Sequence, residues 1–143
     1  MRVSTITITN ENREMALSLI NNENAIFQID KNYVLDVVNA KNVFMCQAEQ
    51  KDTDCLDNFL NEFFFGFLNR CPQVKIASQV VIFIETPERK DQLIKYMNII
   101  HDFEQKLAPC AELQWGLRNE ININLALITV ICNYITKSNY AEQ

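Results

Sequence analysis

Glycine and proline are nearly missing from this chain, with two and three residues in 143. With Gly66 and Gly116 as the only glycines, there is neither a GxxxxGK[ST] phosphate loop nor a GxGxxG dinucleotide turn, since both need several glycines to bring backbone amides against phosphate. Histidine is scarcer still. His101 stands alone without an HExxH partner, which excludes the common zinc-hydrolase pattern and leaves it as a surface or boundary residue. No serine elbow for acyl transfer is present. A Cys/His nucleophilic pair would have to join His101 to Cys71 or Cys110, and nothing in their spacing supports it.

Positive charge is also in deficit. Thirteen Lys and Arg face eighteen Asp and Glu, a net charge of -5, so no general field exists to hold a nucleic-acid backbone and no nucleic-acid partner is expected. Apolar runs are too short and too interrupted for a membrane span, and no secretory leader is recognisable. The five cysteines, Cys46, Cys55, Cys71, Cys110 and Cys132, form an odd set without CxxC spacing, which fits a reducing, cytoplasmic setting. Cys46 and Cys132 lie in apolar strand patterns and read as small core residues. No cofactor or metal is expected.

What is present is a hydrophobic fraction of 48%, enough for one domain to build a core without disulfides or metal. Residues 1–143 read as a single domain: a strand and helix extension over 1–35, a main region over 36–134 and a polar tail over 135–143. Residues 2–9 alternate in polarity and are rich in β-branched side chains, which predicts a half-buried strand. Met15, Ala16, Leu19 and Ile20 recur at helical spacing within 10–22. The segments 25–29 and 33–38, around Asp30, Lys31 and Asn32, fit a hairpin or a strand followed by one turn of helix.

Residues 42–48 predict an internal strand. The most periodic stretch follows, with Leu56, Phe59, Leu60, Phe63, Phe64, Phe67 and Leu68 forming one stripe of a helix that must cover a sheet or another helix. Burying that stripe is worth on the order of 10 kcal/mol before chain entropy is set against it. Phe65 falls off the stripe, either as a residue covered by a neighbouring loop or as an exposed aromatic at a partner surface. Residues 77–84 predict another strand. Thr86 as cap and Pro87 at the first helical position then predict a helix to Leu107, with Leu93, Tyr96, Met97, Ile100, Phe103 and Leu107 buried and Pro109 ending it.

Strands are further expected at 112–116 and 125–132, and a helix between the strands 77–84 and 112–116 predicts a parallel crossover. In the last strand Ala126, Ile128, Val130 and Cys132 share one face, while Leu125, Leu127, Thr129, Ile131 and Asn133 share the other. Both faces are mostly apolar, so a central strand covered on both sides is expected. Trp115 and Gly116 read as a large side chain packed at the sheet border beside a backbone turn. Asn119, Glu120, Asn122 and Asn124 then predict an exposed polar connection suited to docking.

The order of these segments, strand 77–84, helix, Ala111 to Gly116 and Asn119 to Cys132, resembles the carboxy-terminal domain of FtsZ, the tubulin-like bacterial division GTPase. Upstream, Asp36 to Ala48 with the helix over 54–70 resembles the segment that enters the same domain, so the similarity runs over about residues 36–134. The resemblance implies an α+β or two-layer α/β fold: a mixed sheet of about four to six strands packed against two long helices. In that family an acidic loop with the pattern Asn-x-Asp-x-x-Asp touches the nucleotide of the neighbouring subunit. Here Asp36 can take the place of the last acid, but Tyr33 then stands where the first belongs, and the nucleotide-binding domain is not part of this sequence. The chain is therefore expected to bind no nucleotide alone and not to be a GTPase by itself.

Two functions follow from this reading. One is a non-catalytic protein of the tubulin/FtsZ type that self-associates or contacts a protein partner, with a link to cell division, through Phe65, Trp115, Asn119, Glu120 and Asn122. The other is a small α/β enzyme or ligand-binding protein with a pocket drawn from Asp30, Asp36, Trp115 and Glu120.

Overall fold

The computed structural model describes residues 2–20, 22–23, 25–51, 56–70, 72–87, 93–120, 123 and 125–134. Five strands, β1 (Arg2–Thr7), β2 (Val43–Gln50), β3 (Gln79–Pro87), β4 (Glu112–Glu120) and β5 (Ala126–Asn133), form one mixed sheet in the order β1-β2-β5-β3-β4. Only β3 and β4 are parallel. They are joined through helix α4 (Leu93–Glu104), the connection that a parallel pair requires. β5 lies between β2 and β3 and pairs antiparallel with both, so the strand over 125–133 shares a sheet with 79–84, as the sequence resemblance demands.

The alternation of side chains along β5 separates two cores. Ala126, Ile128, Val130 and Cys132 meet the long helices α3 (Leu56–Arg70) and α4, together with Phe59, Leu60, Phe63, Phe64, Tyr96, Ile100 and Phe103. Ile131 faces the other way, into a core made with Val81, Phe83 and the short helices α1 (Arg13–Ser18) and α2 (Lys31–Val38). The extension over 1–35 thus both completes the sheet, through β1, and helps to cover its second face. Cys46 and Cys132 are buried in the first core, while Cys110 is exposed.

Three local expectations are corrected. Thr86 and Pro87 do not open a helix: β3 continues through them, paired with Asn119 and Glu120 of β4, and Thr86 is fully buried. Pro87 lies beyond the last β5 partner, Leu127 opposite Glu85, so its missing N–H falls where that ladder has ended. Second, of the two readings open for 25–38 the hairpin fails: Phe27 makes an isolated bridge to Leu117, and residues 31–38 form helix α2, longer than the single turn expected. Asp30 caps it by accepting from the Asn32 amide at 2.9 Å, and Tyr33, Val34, Val37 and Val38 make a buried helical face. Third, Met97 is exposed on α4 and Ile99 takes its expected place in the core. Among the described residues, no helix is long and apolar enough to cross a membrane.

Candidate interaction site

α3 and α4 pack side by side on the sheet, and their contact decides what remains outside. The rings of Phe64 and Phe103 lie 4.8 Å apart between the helices, and Phe63 packs edge-on against Phe64 at 5.3 Å. Phe65 stands about 100° round the helix axis from Phe64 and about 200° from Phe63, which carries it off the face those two bury. It stands 65% exposed, the uncovered alternative of the two readings open for it. The Lys106 ammonium lies 5.9 Å from the centre of its ring, at the upper limit of a cation–π contact.

Beside Phe65 runs a groove of about 360 Å³ with Phe64, Ile99 and Phe103 along its floor and Asn61, Glu62, Asp102 and Lys106 along its rim. An apolar floor bordered by charged side chains suits a protein segment that buries an apolar side chain and exchanges hydrogen bonds at its edge. Sequence periodicity pointed to Phe65 because it broke the stripe. It gave no hint of Asp102 or Lys106, because no spacing pattern connects a residue of α3 to side chains on and just after α4, and it did not single out Glu62, a polar position of α3 itself.

The other expected site residues are placed differently. Trp115 is half-buried and packs on Phe27, with ring centres 5.0 Å apart, at the β4 border. Gly116 lies inside β4 rather than at a turn. Asn119 is not part of an exposed loop: it is a β4 residue only 9% exposed, and its side-chain amide donates to Thr86 Oγ1 at 2.8 Å and to the Pro87 carbonyl at 2.9 Å. This inward pairing at the end of the parallel strands removes it from any docking surface. The backbone of Glu120 ends β4 opposite Pro87; its side chain and the whole of Asn122 lie outside the described residues.

Asp30 and Asp36 are exposed, and Asp30 is engaged in capping α2. α2 packs on the core that contains Phe83 and Ile131, whereas Trp115 packs on the opposite core, so the sheet separates Trp115 from these acids. Tyr33 of α2 is buried, and its hydroxyl donates to the Glu112 carbonyl at 3.0 Å. Burial pushes its phenol up to about 12, with the charges of Glu112 and Cys132 adding to the rise and a Val80 backbone hydrogen bond opposing it. Among the described residues, no three His, Cys, Asp or Glu side chains gather in a metal-binding arrangement.

The sheet order, the parallel β3–β4 pair and the two long helices on one face define a tubulin/FtsZ-like fold of the carboxy-terminal-domain kind. Solved structures share this fold. An FtsZ dimer from M. jannaschii superposes with a TM-score of 0.60 at 18% identity, covering 85% of this chain and 35% of that one. GDP-form protofilaments of TubZ from Bacillus thuringiensis serovar israelensis give a TM-score of 0.60 at 16% identity, over 92% of this chain and 38% of the other. GDP-bound monomeric CetZ1 from Haloferax volcanii gives 0.51 at 11% identity, over 76% and 34%. The chain therefore spans little more than a third of the length of each. No protein-family profile and no curated protein sequence matches it.

Proposed function

We propose that this chain is a non-catalytic module of the tubulin/FtsZ kind, equivalent to the carboxy-terminal domain of that fold, which works by self-association or by contact with a protein partner in the cytoplasm. The observation that carries the proposal is Phe65: an aromatic two-thirds exposed at the rim of the α3–α4 groove. Large aromatics set beside apolar clefts are the residues on which protein contacts concentrate. Support comes from the fold, which is shared with an FtsZ described as a dimer and a TubZ described as protofilaments.

The finer reading, a place in the cell-division machinery, rests on the likeness to FtsZ. Nucleotide is not part of the proposed activity of this chain alone. Its two glycines lie within α3 and β4, where neither can shape a phosphate loop between a strand and a helix.

The test is size in solution. Sedimentation of the purified chain over rising concentration is expected to show growth in mass, or the chain is expected to carry a stoichiometric protein partner through purification, and Phe65→Ser is expected to weaken the contact that uses the groove. A concentration-independent monomer with no co-purifying partner would overturn the proposal.

A further inference from the structure

The two edges of the sheet are finished differently. Along β4 the segment over 26–27 lies against the rim: Leu117 exchanges main-chain hydrogen bonds with Phe27, and its carbonyl also accepts from the Ile26 amide at 2.8 Å. Along β1, among the described residues, the corresponding cover is one contact, from Asn12 Nδ2 to the Thr7 carbonyl at 2.9 Å.

The register of β1 identifies what remains. The Ile8 amide donates to the Val43 carbonyl at 2.9 Å, in line with the pairing of Thr7 opposite Phe44. Antiparallel ladders alternate, so Arg2, Ser4 and Ile6 turn their main-chain groups toward β2 while Val3, Thr5 and Thr7 turn theirs away from it. Val3 and Thr5 therefore present two N–H donors and two carbonyl acceptors along the rim, and among the described residues nothing meets them. Natural edge strands are usually blunted by a lysine, a proline or a bulge. Residues 3–7 carry no charge and no proline, and their pairing with β2 runs without a break.

We propose that a second copy of this chain pairs with this edge, β1 against β1 in antiparallel sense, about a two-fold axis at Ser4. That register sets Val3 of each copy opposite Thr5 of the other and satisfies all four outward groups of each strand, leaving Thr7 with Asn12. A two-fold axis at Thr5 would instead oppose Val3 to Thr7, whose carbonyl already accepts from Asn12. A second copy is the fitting occupant because the edge is its own complement under a two-fold rotation, with uncharged Ser4 meeting Ser4 at the centre. A two-fold contact consumes the β1 edge of both copies at once, so the assembly closes as a dimer with a ten-stranded sheet. The proposal rests on the self-association reading above and places that association on a different surface from the Phe65 groove.

Sedimentation equilibrium of the full chain tests it. Wild type is expected to show a reversible monomer–dimer equilibrium. Ser4→Lys and Ser4→Glu, each placing like charges at the axis, are expected to weaken the dimer by about tenfold or more. An equimolar mixture of the two variants is expected to dimerise again, which a folding defect would not produce. Thr5→Pro removes one outward donor while keeping the main-chain ladder to β2, losing besides only the 3.6 Å contact of the Thr5 hydroxyl with Cys46 Sγ, and the same loss of dimer is expected with thermal unfolding little changed. Wild type that stays monomeric, or Ser4 variants that dimerise like wild type, would overturn the proposal. A dimer lost in Phe65→Ser but kept in Ser4→Lys would overturn the edge while leaving the broader self-association reading intact. A monomer with no co-purifying protein would remove both.

Discussion

The main-chain oxygen of Phe27 lies 2.9 Å from where a Cβ on Gly116 would stand. Phe83 Cδ1, at 2.9 Å, and Ile29 Cγ1, at 3.0 Å, crowd the same point. Gly116 is therefore present for want of space: the chain over 27–29 passes directly over β4, and only a residue without a side chain lets it form the Phe27–Leu117 bridge that covers this edge.

Replacing Gly116 with Ala is expected to destabilise the fold by about 1–3 kcal/mol, because a backbone oxygen and two core side chains must yield. Urea unfolding checks it. A stability equal to wild type would show that the segment over 27–29 moves aside at little cost.

Asn119 and Thr86 offer a test at the far end of the parallel pair. Asn119→Leu leaves the buried Thr86 hydroxyl and the Pro87 carbonyl without their shared donor, an expected loss of about 1–3 kcal/mol. Combined with Thr86→Val, the double variant is expected to lose less than the sum of the two single changes, which a double-mutant cycle measures directly.

Two phenylalanines of one helix should behave oppositely. Phe59 is 1% exposed, and Phe59→Ala is expected to cost about 3–5 kcal/mol. Phe65→Ala should cost less than about 1 kcal/mol, since it gives up one weak contact with Lys106 and little buried area. Denaturant midpoints of the two variants separate the helix's structural face from its free one.

Tyr33 makes the fold sensitive to alkali. Its phenol ionises at about 12 in the folded chain against 10.0 for an ordinary tyrosine, so the folded state holds the proton more tightly. Its contribution is fully present below pH 10 and is lost as the pH rises toward 12. Unfolding free energy measured across that interval should fall more steeply for wild type than for Tyr33→Phe, although Tyr33→Phe starts lower at neutral pH for want of the bond to Glu112.

Much of the fold was legible because its signals are local. The stripe through Phe59, Leu60, Phe63 and Phe64 is a helical period, and the alternation from Ala126 to Cys132 assigns both faces of β5 without reference to any neighbour. The failures arose where local chemistry permits two outcomes. Thr86 and Pro87 suit the start of a helix, yet pairing of Thr86 opposite Asn119 in the sheet prevailed. In α2 the β-branched Val34, Val37 and Val38 favour a strand, while the Asp30 cap and a buried face against β3 and β5 hold them helical. Asn119 looked exposed because asparagines cluster around it, and its burial follows from a partner 33 residues earlier in the chain. The candidate groove was legible only in part, at Phe65 on its rim and in the stripe residues of its floor, since the wall from Ile99 to Lys106 comes from another part of the chain.

β5 lies in the middle of the sheet although, among the described residues, the other four strands precede it in sequence. A growing chain therefore makes β2 and β3 long before the strand that joins them exists, and each must wait with a full row of unpaired amides and carbonyls. The antiparallel β1–β2 pair and the β3–β4 crossover can each take shape as separate halves, but they can become one structure only when Ala126 to Asn133 enters between them. During synthesis, arrest before that point would release two open-edged half-sheets, the form in which such chains aggregate most readily.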